Sequence, residues 1–250
     1  MTFFSRLRNH VRHRRHTSLL AAIVAAFAVR PLVGDTGAAP IVFSVAILAL
    51  ALIALYTIQI DELVGEHSAL VVQRKRRNRV GWLLVLMALA ERLLVLFRPS
   101  PWLLLLSSLW WLVFIAFVTG NQLRSLLMQK AVTGETLSMA VSVYLLLGFS
   151  WGILYAVIYQ LQPQAFGFNA PPGTAVAMNT QQHLFPIFAY FSLTTLATIG
   201  FGDIVPLTLQ ARYAAVAEGI TGQLYLAILV ARLVGLHMSG SEHPHTGSGQ

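Results

Sequence analysis

The stretch "SLTTLATIGFGDIVP", Ser192–Pro206, places two glycines, an aspartate and three threonines between strongly apolar segments. Gly200 and Gly202 alternate with large apolar residues, and glycine adopts left-handed backbone angles at little steric cost. Such alternation can turn successive carbonyl groups to the same side of the chain. The stretch therefore predicts irregular backbone that presents a row of carbonyl oxygens.

The segment just upstream is apolar enough to enter a membrane but too short to cross it and return. A helix can begin near Pro186, because a proline in the first turn loses no hydrogen bond, and can end near Leu196. At about 1.5 Å per residue it would reach about halfway through a hydrocarbon layer of about 30 Å. The negative end of its dipole would then favour a cation at mid-membrane depth. Bare carbonyls at that depth must face protein or a water-filled cavity, so we predict a re-entrant, cation-coordinating segment.

The composition indicates a membrane protein. Of the 250 residues, 56% are hydrophobic and 10% are charged, which is more apolar than a soluble domain of this length requires. The absence of cysteine excludes disulfides and thiolate metal sites. The net charge of +8 lies in connecting segments and not on a face of a soluble module, so no nucleic-acid partner is expected.

Six apolar segments approach the length of about 20 residues that a transmembrane helix needs. They are Thr17–Val33, Ile41–Ile60, Val80–Phe97, Pro101–Gly120, Leu137–Leu161 and Leu207–Leu236. The first is interrupted by Arg30 and Pro31 and follows a basic stretch, a combination that is also typical of a secretory signal peptide. A retained span and a cleaved signal both remain open, and neither changes the direction of the later spans.

Basic residues predict the orientation of these spans. Five arginines precede the first span, and a second basic cluster lies between the second and third spans. That cluster consists of Arg74, Lys75, Arg76, Arg77 and Arg79. Because cytoplasmic loops carry the excess of Lys and Arg, we expect both termini in the cytoplasm, in an integral protein of the plasma (inner) membrane. The cluster is also a candidate site for anionic lipid headgroups.

The run "TLATIGFGD", Thr195–Asp203, resembles the signature T-x-x-T-x-G-[YF]-G-D of the potassium channel family. The resemblance implies a selectivity filter in which potassium ions bind to backbone carbonyls and to the Thr198 hydroxyl, with no other cofactor. The implied carbonyls are those of Thr198, Ile199, Gly200 and Phe201, with Gly202 and Asp203 closing the outer mouth. Phe201 stands where many members of the family have tyrosine, so a weakly selective cation channel is an alternative.

Several residues are predicted to support the filter. They are Tyr190, Phe191, Thr194, Thr195, Asp203 and Glu218. The resemblance places Tyr190 and Phe191 at the aromatic positions that brace the filter from behind. Glu218 is an acid within an apolar span, and such residues are functional candidates. We expect its carboxylate to accept hydrogen bonds from Thr194 or Tyr190 at filter depth, with a paired structural acid as the alternative.

The chain contains one copy of the motif, and one strand cannot surround an ion, so a homotetramer is implied. The sixth span is expected to line the pore. Gly222 lies where related channels often bend the inner helix, although a glycine that allows close helix packing is the alternative. Gln223, Leu226 and Val230 recur at helical spacing, and we expect them to form the wall of the cavity.

The predicted fold is an all-α membrane protein with six transmembrane helices, a re-entrant pore helix and a filter. Its parts are a basic cytoplasmic N-terminus (1–16), a four-span peripheral module (17–120), a cytoplasmic linker (121–136), a pore module (137–236) and a short cytoplasmic tail (237–250). From the length of this tail we expect no nucleotide- or calcium-binding domain in it. The fourth span has no Lys or Arg, so steep voltage gating is not expected. Glu91 and Arg92 are each expected to pair with a neighbouring span, or, for Arg92, to reach the outer interface, with a sensing role as the alternative.

Two other functional classes are a serine hydrolase and a non-conducting accessory or sensor subunit. "GFSWG", Gly148–Gly152, matches the G-x-S-x-G pattern of serine hydrolases, but it lies inside an apolar span without an evident acid and histidine. We therefore predict no enzymatic activity. A non-conducting accessory or sensor subunit is the other alternative, against which the intact filter sequence argues. His183 is expected to be solvated, with proton sensing as the alternative.

Overall fold

The computed structural model describes residues 15–33, 49, 52–53, 79–87, 90, 100–129, 132–169 and 184–241. Almost all of the predicted second span lies outside these ranges, as do Glu91, Arg92 and His183. Of the basic cluster, only Arg79 is described, as an exposed residue of the helical segment 79–87. The predicted roles of the other basic residues and of Glu91 and Arg92 therefore stay predictions.

The described part of the chain is mostly helical. Its longer helices are α1 (Arg15–Val33), α2 (Pro101–Leu127), α3 (Gly134–Leu161), α4 (Leu184–Leu196) and α5 (Leu209–Ser241). Two short strands, β1 (Phe166–Phe168) and β2 (Ile204–Pro206), complete it, with a 3₁₀ turn at Pro163–Ala165 before β1. Among the described residues, α2, α3 and the Leu209–Leu236 part of α5 are long and apolar enough to cross a membrane. The prediction of a helical membrane protein is confirmed at this level.

Local capping explains where two of the long helices begin. Pro101 occupies the first turn of α2, and the hydroxyl of Ser100 accepts a hydrogen bond from the Leu103 amide at 3.3 Å. Thr133 and Thr136 form a reciprocal capping box at the start of α3, with both amide-to-hydroxyl distances at 3.2 Å.

Helix α2 continues well past the predicted end of the fourth span at Gly120, and residues 128–133 alone join it to α3. A glycine inside a helix costs only about 1 kcal/mol relative to alanine. Leu126, one turn and a half further on, is buried against Met139 and Val143 of α3, which favours continued helix. Both ends of the predicted linker 121–136 are thus helical: residues 121–127 belong to α2 and residues 134–136 belong to α3.

Helix α1 ends at Val33, where the predicted first span ends, and it continues through Arg30 and Pro31. Two other helix bounds differ from the expected ones. Helix α4 begins at Leu184, before the expected start at Pro186. Helix α5 extends to Ser241, into the predicted tail.

Helix α3 is the centre of the packing. Its buried Leu146 and Phe149 contact Leu19 of α1 and Phe114 of α2 in one apolar cluster. Two glycines on the same helix allow α4 to pack closely against α3. A Cβ at Gly152 would lie 2.9 Å from the Ala189 Cα atom. A Cβ at Gly148 would lie 2.5 Å from the side chain of Leu193. The close approach of α4 to α3 therefore depends on positions that carry no side chain.

The end of α5 is fixed to the end of α2. The Arg232 guanidinium donates hydrogen bonds to the carbonyl oxygens of Leu127, at 2.5 Å, and Gln129, at 3.0 Å. A cation at a helix C-terminus also interacts favourably with the helix dipole. Arg232 therefore attaches the last described part of α5 to the helix that forms the predicted fourth span.

Strands β1 and β2 form an antiparallel pair on either side of α4 in sequence. Phe166 lies opposite Pro206, Gly167 opposite Val205 and Phe168 opposite Ile204. The Phe166 ring packs on Phe188 at 4.8 Å between ring centroids, which anchors the pair to α4. The stretch 162–182 is rich in Pro, Gly and Asn, and the sequence predicts it as an external loop. Strand β1 falls in this stretch, whereas β2 lies directly after Asp203.

Candidate functional site

The residues that carry the signature leave the end of α4 as a loop, Ala197–Asp203, which we call the signature loop. Its first amides bond back to the helix: Thr198 N donates to Thr195 O at 3.0 Å, and Ile199 N donates to Thr194 O at 2.8 Å. Gly200 N also reaches Thr194 O, at 3.3 Å. The last turn of α4 therefore holds the start of the loop through backbone groups.

The backbone of the signature loop alternates between ordinary and left-handed angles. Gly200 has φ of 58° and Gly202 has φ of 77°, as the glycine spacing leads us to expect. Thr198 has φ of 59° and is the one non-glycine residue with positive φ in the described part of the chain. A left-handed residue other than glycine costs roughly 1–2 kcal/mol. The strained threonine was not predicted, because no glycine marks its position.

Four consecutive carbonyl oxygens of this loop, those of Thr198–Phe201, accept no hydrogen bond within the described ranges. The loop also lies on the surface of the single chain: Ile199 is 56% exposed and Phe201 is 68% exposed. The flanking Leu196 and Ile204 are buried. The arrangement leaves a row of free acceptor oxygens between two well-packed anchors, which is what coordination of a dehydrated cation requires.

Tyr190 contacts the far part of the loop. Its hydroxyl donates to a carboxylate oxygen of Asp203 at 2.9 Å. Its ring also stacks on that of Phe201, with centroids 6.3 Å apart and planes within 2°. Phe201 lacks the hydroxyl of a tyrosine, but its ring still lies flat on Tyr190.

Phe191 packs among other aromatic residues, and its role as a brace of the filter stays a prediction. It is buried, and its ring packs on Tyr155 of α3 at 5.0 Å and on Phe166 of β1 at 5.7 Å. Phe191 thus anchors α4 to the surrounding elements. Thr194 and Thr195 likewise point their hydroxyls back into α4, to Phe191 O at 2.9 and 2.8 Å. Thr194 contacts the loop through its backbone carbonyl.

The carbonyl of Leu196, at the C-terminus of α4, is enclosed by two other helices. Tyr144 of α3 donates its hydroxyl to Leu196 O at 3.1 Å. A Cβ at Gly222 of α5 would lie 2.7 Å from the same oxygen. Helix α5 runs through Gly222 without a break, so the structure favours close packing over a bend there. Tyr144 was not predicted, and its only sequence signal is a tyrosine within an apolar span.

Glu218 is 0% exposed and lies where α3, α4 and α5 meet. The Tyr155 hydroxyl donates to one carboxylate oxygen at 2.6 Å, and the Ser192 hydroxyl donates to the other. Ser192 Oγ is also 2.5 Å from Gly148 O. The expected partners were wrong, because the Thr194 hydroxyl bonds within α4 and the Tyr190 hydroxyl bonds to Asp203.

The predicted cavity residues Gln223, Leu226 and Val230 are all exposed on α5 in the single chain. The buried positions of this helix lie on another face, which packs on the rest of the chain. They include Ala211, Glu218, Gly222 and Tyr225. The assignment of the exposed residues to a cavity wall stays a prediction.

The hydrolase-like pattern Gly148–Gly152 lies inside α3, without the turn between strand and helix that the hydrolase motif needs. The hydroxyl of Ser150 donates to Leu146 O at 2.8 Å, within the same helix. Its glycines admit α4, as described above. The pattern thus has a packing explanation.

Comparison with known proteins adds three findings. A family model described as an ion channel matches residues 143–237. The chain is 30% identical over 94 residues to two pore potassium channel c of Oryza sativa subsp. japonica, a match that covers 36% of this chain and 21% of that protein. It is 36% identical over 64 residues to two-pore potassium channel 4 of Arabidopsis thaliana, covering 26% of this chain and 22% of the relative. The chain thus spans about a fifth of the length of these curated relatives. No solved structure is significantly similar to it.

The matched segment contains α4, the signature loop and most of α3 and α5. These are the elements that meet around Glu218 and Leu196, and the loop between them presents the free carbonyls. Through this segment, the chain is similar to ion channels and to the two plant potassium channels.

Proposed function

We propose that this protein conducts potassium ions passively across a membrane, through a filter formed by residues 198–202 of four identical chains. Potassium would exchange its hydration shell for the carbonyl oxygens of Thr198–Phe201 and the hydroxyl of Thr198. Repulsion between ions at neighbouring sites would then drive each ion onward. No chemical step and no further cofactor are required.

The observation that carries this proposal is the state of the four carbonyls in the signature loop. They are consecutive, without hydrogen-bond partners among the described residues, and exposed on the single chain. Unpaired carbonyls in a membrane protein are costly unless a cation, water or another chain satisfies them. A ring of such loops would supply the partners that one chain lacks.

The proposed homotetramer follows from the same geometry. A single loop offers one side of a coordination shell, and closed rotational symmetry supplies the others. Most of α5 is exposed in the single chain, apart from the face that carries Glu218 and Gly222. We propose that this exposed surface provides both the contacts between chains and the cavity wall, with Gln223, Leu226 and Val230 facing the axis.

The remaining predictions complete the proposal. The protein would lie in the plasma (inner) membrane with both termini in the cytoplasm and anionic lipid near the basic cluster. Because the predicted fourth span, Pro101–Gly120, carries no Lys or Arg, conduction would depend only weakly on voltage. Glu218 would support the filter indirectly, by fixing α4 through Ser192.

The direct test is a planar bilayer that contains the purified full-length protein, with unequal potassium and sodium on the two sides. We expect a reversal potential near the potassium equilibrium value, and little change in open probability when the voltage is stepped. In Gly200→Ala we expect loss of selective current, because a Cβ at φ of 58° is strained.

Gly120→Ala is the matched control, since a Cβ at Gly120 in α2 has no other atom within 4 Å. It should conduct as the wild type does. A reversal potential near zero with intact cation currents would replace the proposal with a weakly selective cation channel. The absence of any flux from well-folded protein would favour a non-conducting accessory subunit.

A further inference from the structure

The strand pair beside the signature loop ends at Asn169. The backbone ladder starts with Leu207 N donating to Ala165 O at 2.8 Å and ends with Asn169 N donating to Asp203 O at 2.7 Å. The last rung therefore lies at the final residue of the signature loop. Asn169 thus belongs to the loop's immediate surroundings, although 33 residues separate it from Gly202 in sequence.

The side chain of Asn169 makes a second contact, one residue further into the loop. Its Nδ2 group donates to the carbonyl oxygen of Gly202 at 3.1 Å. The four preceding carbonyls, those of Thr198–Phe201, accept no hydrogen bond from the described residues. The row of carbonyl oxygens without a hydrogen-bond partner therefore ends at Phe201, because the next oxygen, that of Gly202, accepts from the Asn169 side chain.

We propose that Asn169 is a positioning residue that holds the Gly202 carbonyl and thereby sets the end of the row of potassium sites. This inference rests on the proposed function. Gly202 follows Phe201 directly, so fixing the Gly202 carbonyl limits rotation of the peptide group that carries the Phe201 oxygen. Asn169 thus orders the last ring of ion ligands without touching an ion.

The structure gives Asn169 a firm support for this role. Phe166, at the start of β1, is buried and packs on Phe188 at 4.8 Å and on Tyr155 at 5.7 Å. A Cβ at Gly167 would lie 3.2 Å from the Val205 side chain, so the two strands are in close contact. Asn169 itself is exposed, and water competes for its hydrogen bond. Its effect is therefore expected to be modest.

The test measures potassium binding without requiring current. Purified full-length protein is heated in detergent at increasing potassium, with sodium keeping the ionic strength constant, because a ligand that binds the folded state raises the unfolding temperature. Asn169→Leu keeps the approximate size of the side chain and the backbone N–H, and it loses the donor without adding a charge beside the potassium sites. We expect its half-maximal stabilisation to need about fivefold more potassium, the effect of losing a typical hydrogen bond.

Gln164→Ala, at an exposed position in the turn before β1, is the matched control and should titrate as the wild type does. A merely structural role for Asn169 would lower the unfolding temperature in sodium and leave the potassium midpoint unchanged. That outcome would overturn the inference while leaving the proposed function intact. If potassium fails to stabilise the wild type above sodium, the proposed function fails and the inference fails with it.

Discussion

The two ends of the signature loop are held in different ways. At the helix end, next to the C-terminus of α4, backbone groups make the contacts: Thr194 O accepts two amides, and Leu196 O lies against Gly222. At the hairpin end, next to β2, side chains add to a single backbone bond from Asn169 N to Asp203 O. There the half-buried Tyr190 bonds to Asp203, and the exposed side chain of Asn169 bonds to Gly202.

This difference sets the expected size of substitution effects. Close packing of backbone against backbone cannot yield to an added methyl group without moving a helix. An exposed hydrogen bond competes with water, and its loss costs about 1 kcal/mol or less. The helix end should therefore be sensitive to shape and the hairpin end to hydrogen-bond donors.

The largest effect is expected for Gly222→Ala, because its Cβ would lie 2.7 Å from the Leu196 carbonyl oxygen. Overpacking of this kind typically costs about 1–3 kcal/mol of unfolding free energy. Gly219→Ala is the control on the same helix, since a Cβ there meets no other atom within 4 Å. Thermal unfolding of both variants in detergent tests the comparison. Equal stability of the two would show that the helix end is not closely packed.

An intermediate effect is expected for Glu218→Leu, which leaves the buried Tyr155 hydroxyl without its acceptor, whereas Ser192 can donate to Gly148 O instead. Leaving one buried hydroxyl unsatisfied costs about 1–3 kcal/mol, and we expect a loss in the lower part of this range. Glu218→Gln keeps one carbonyl oxygen and should lose less. A double-mutant cycle with Tyr155→Phe isolates the pair. If the Gln variant conducts with unchanged conductance, selectivity and open probability, Glu218 does not support the filter.

The smallest effect is expected for Tyr190→Phe, at the hairpin end. The variant loses the hydrogen bond to Asp203 and keeps the ring stacked on Phe201, so we expect a loss of about 0.5–1 kcal/mol. Thermal unfolding in detergent, under the conditions used for Gly222→Ala, measures this loss. A loss of stability larger than that of Gly222→Ala would reverse the proposed order of the two ends.

The helix end could be predicted in outline because its signals are local. The glycine alternation indicates left-handed angles at Gly200 and Gly202, and the length of the apolar run places the end of α4 at Leu196. The strain at Thr198 left no such signal. The strain depends on the hydrogen bonds that Thr194 O accepts from the Ile199 and Gly200 amides, and these groups come together only in the folded turn.

Contacts between distant segments were predicted less well. The partners of Glu218 depend on how α5 is rotated against α3 and α4, which the helical period alone does not fix. The hairpin end depends on a strand of three residues, Phe166–Phe168, too short to stand out from a loop rich in Gly and Pro. The end of the fourth span was placed at Gly120, although the packing of Leu126 outweighs the cost of one glycine.

The exposed carbonyls of the signature loop also bear on how the protein is made. A single chain inserted into a bilayer would carry unpaired acceptors, each costing several kcal/mol in hydrocarbon. In the proposed assembly, separating one subunit from its neighbours would restore that penalty. We therefore expect subunits to exchange slowly once assembled. Chains that find no partners should be prone to recognition and removal by membrane proteases.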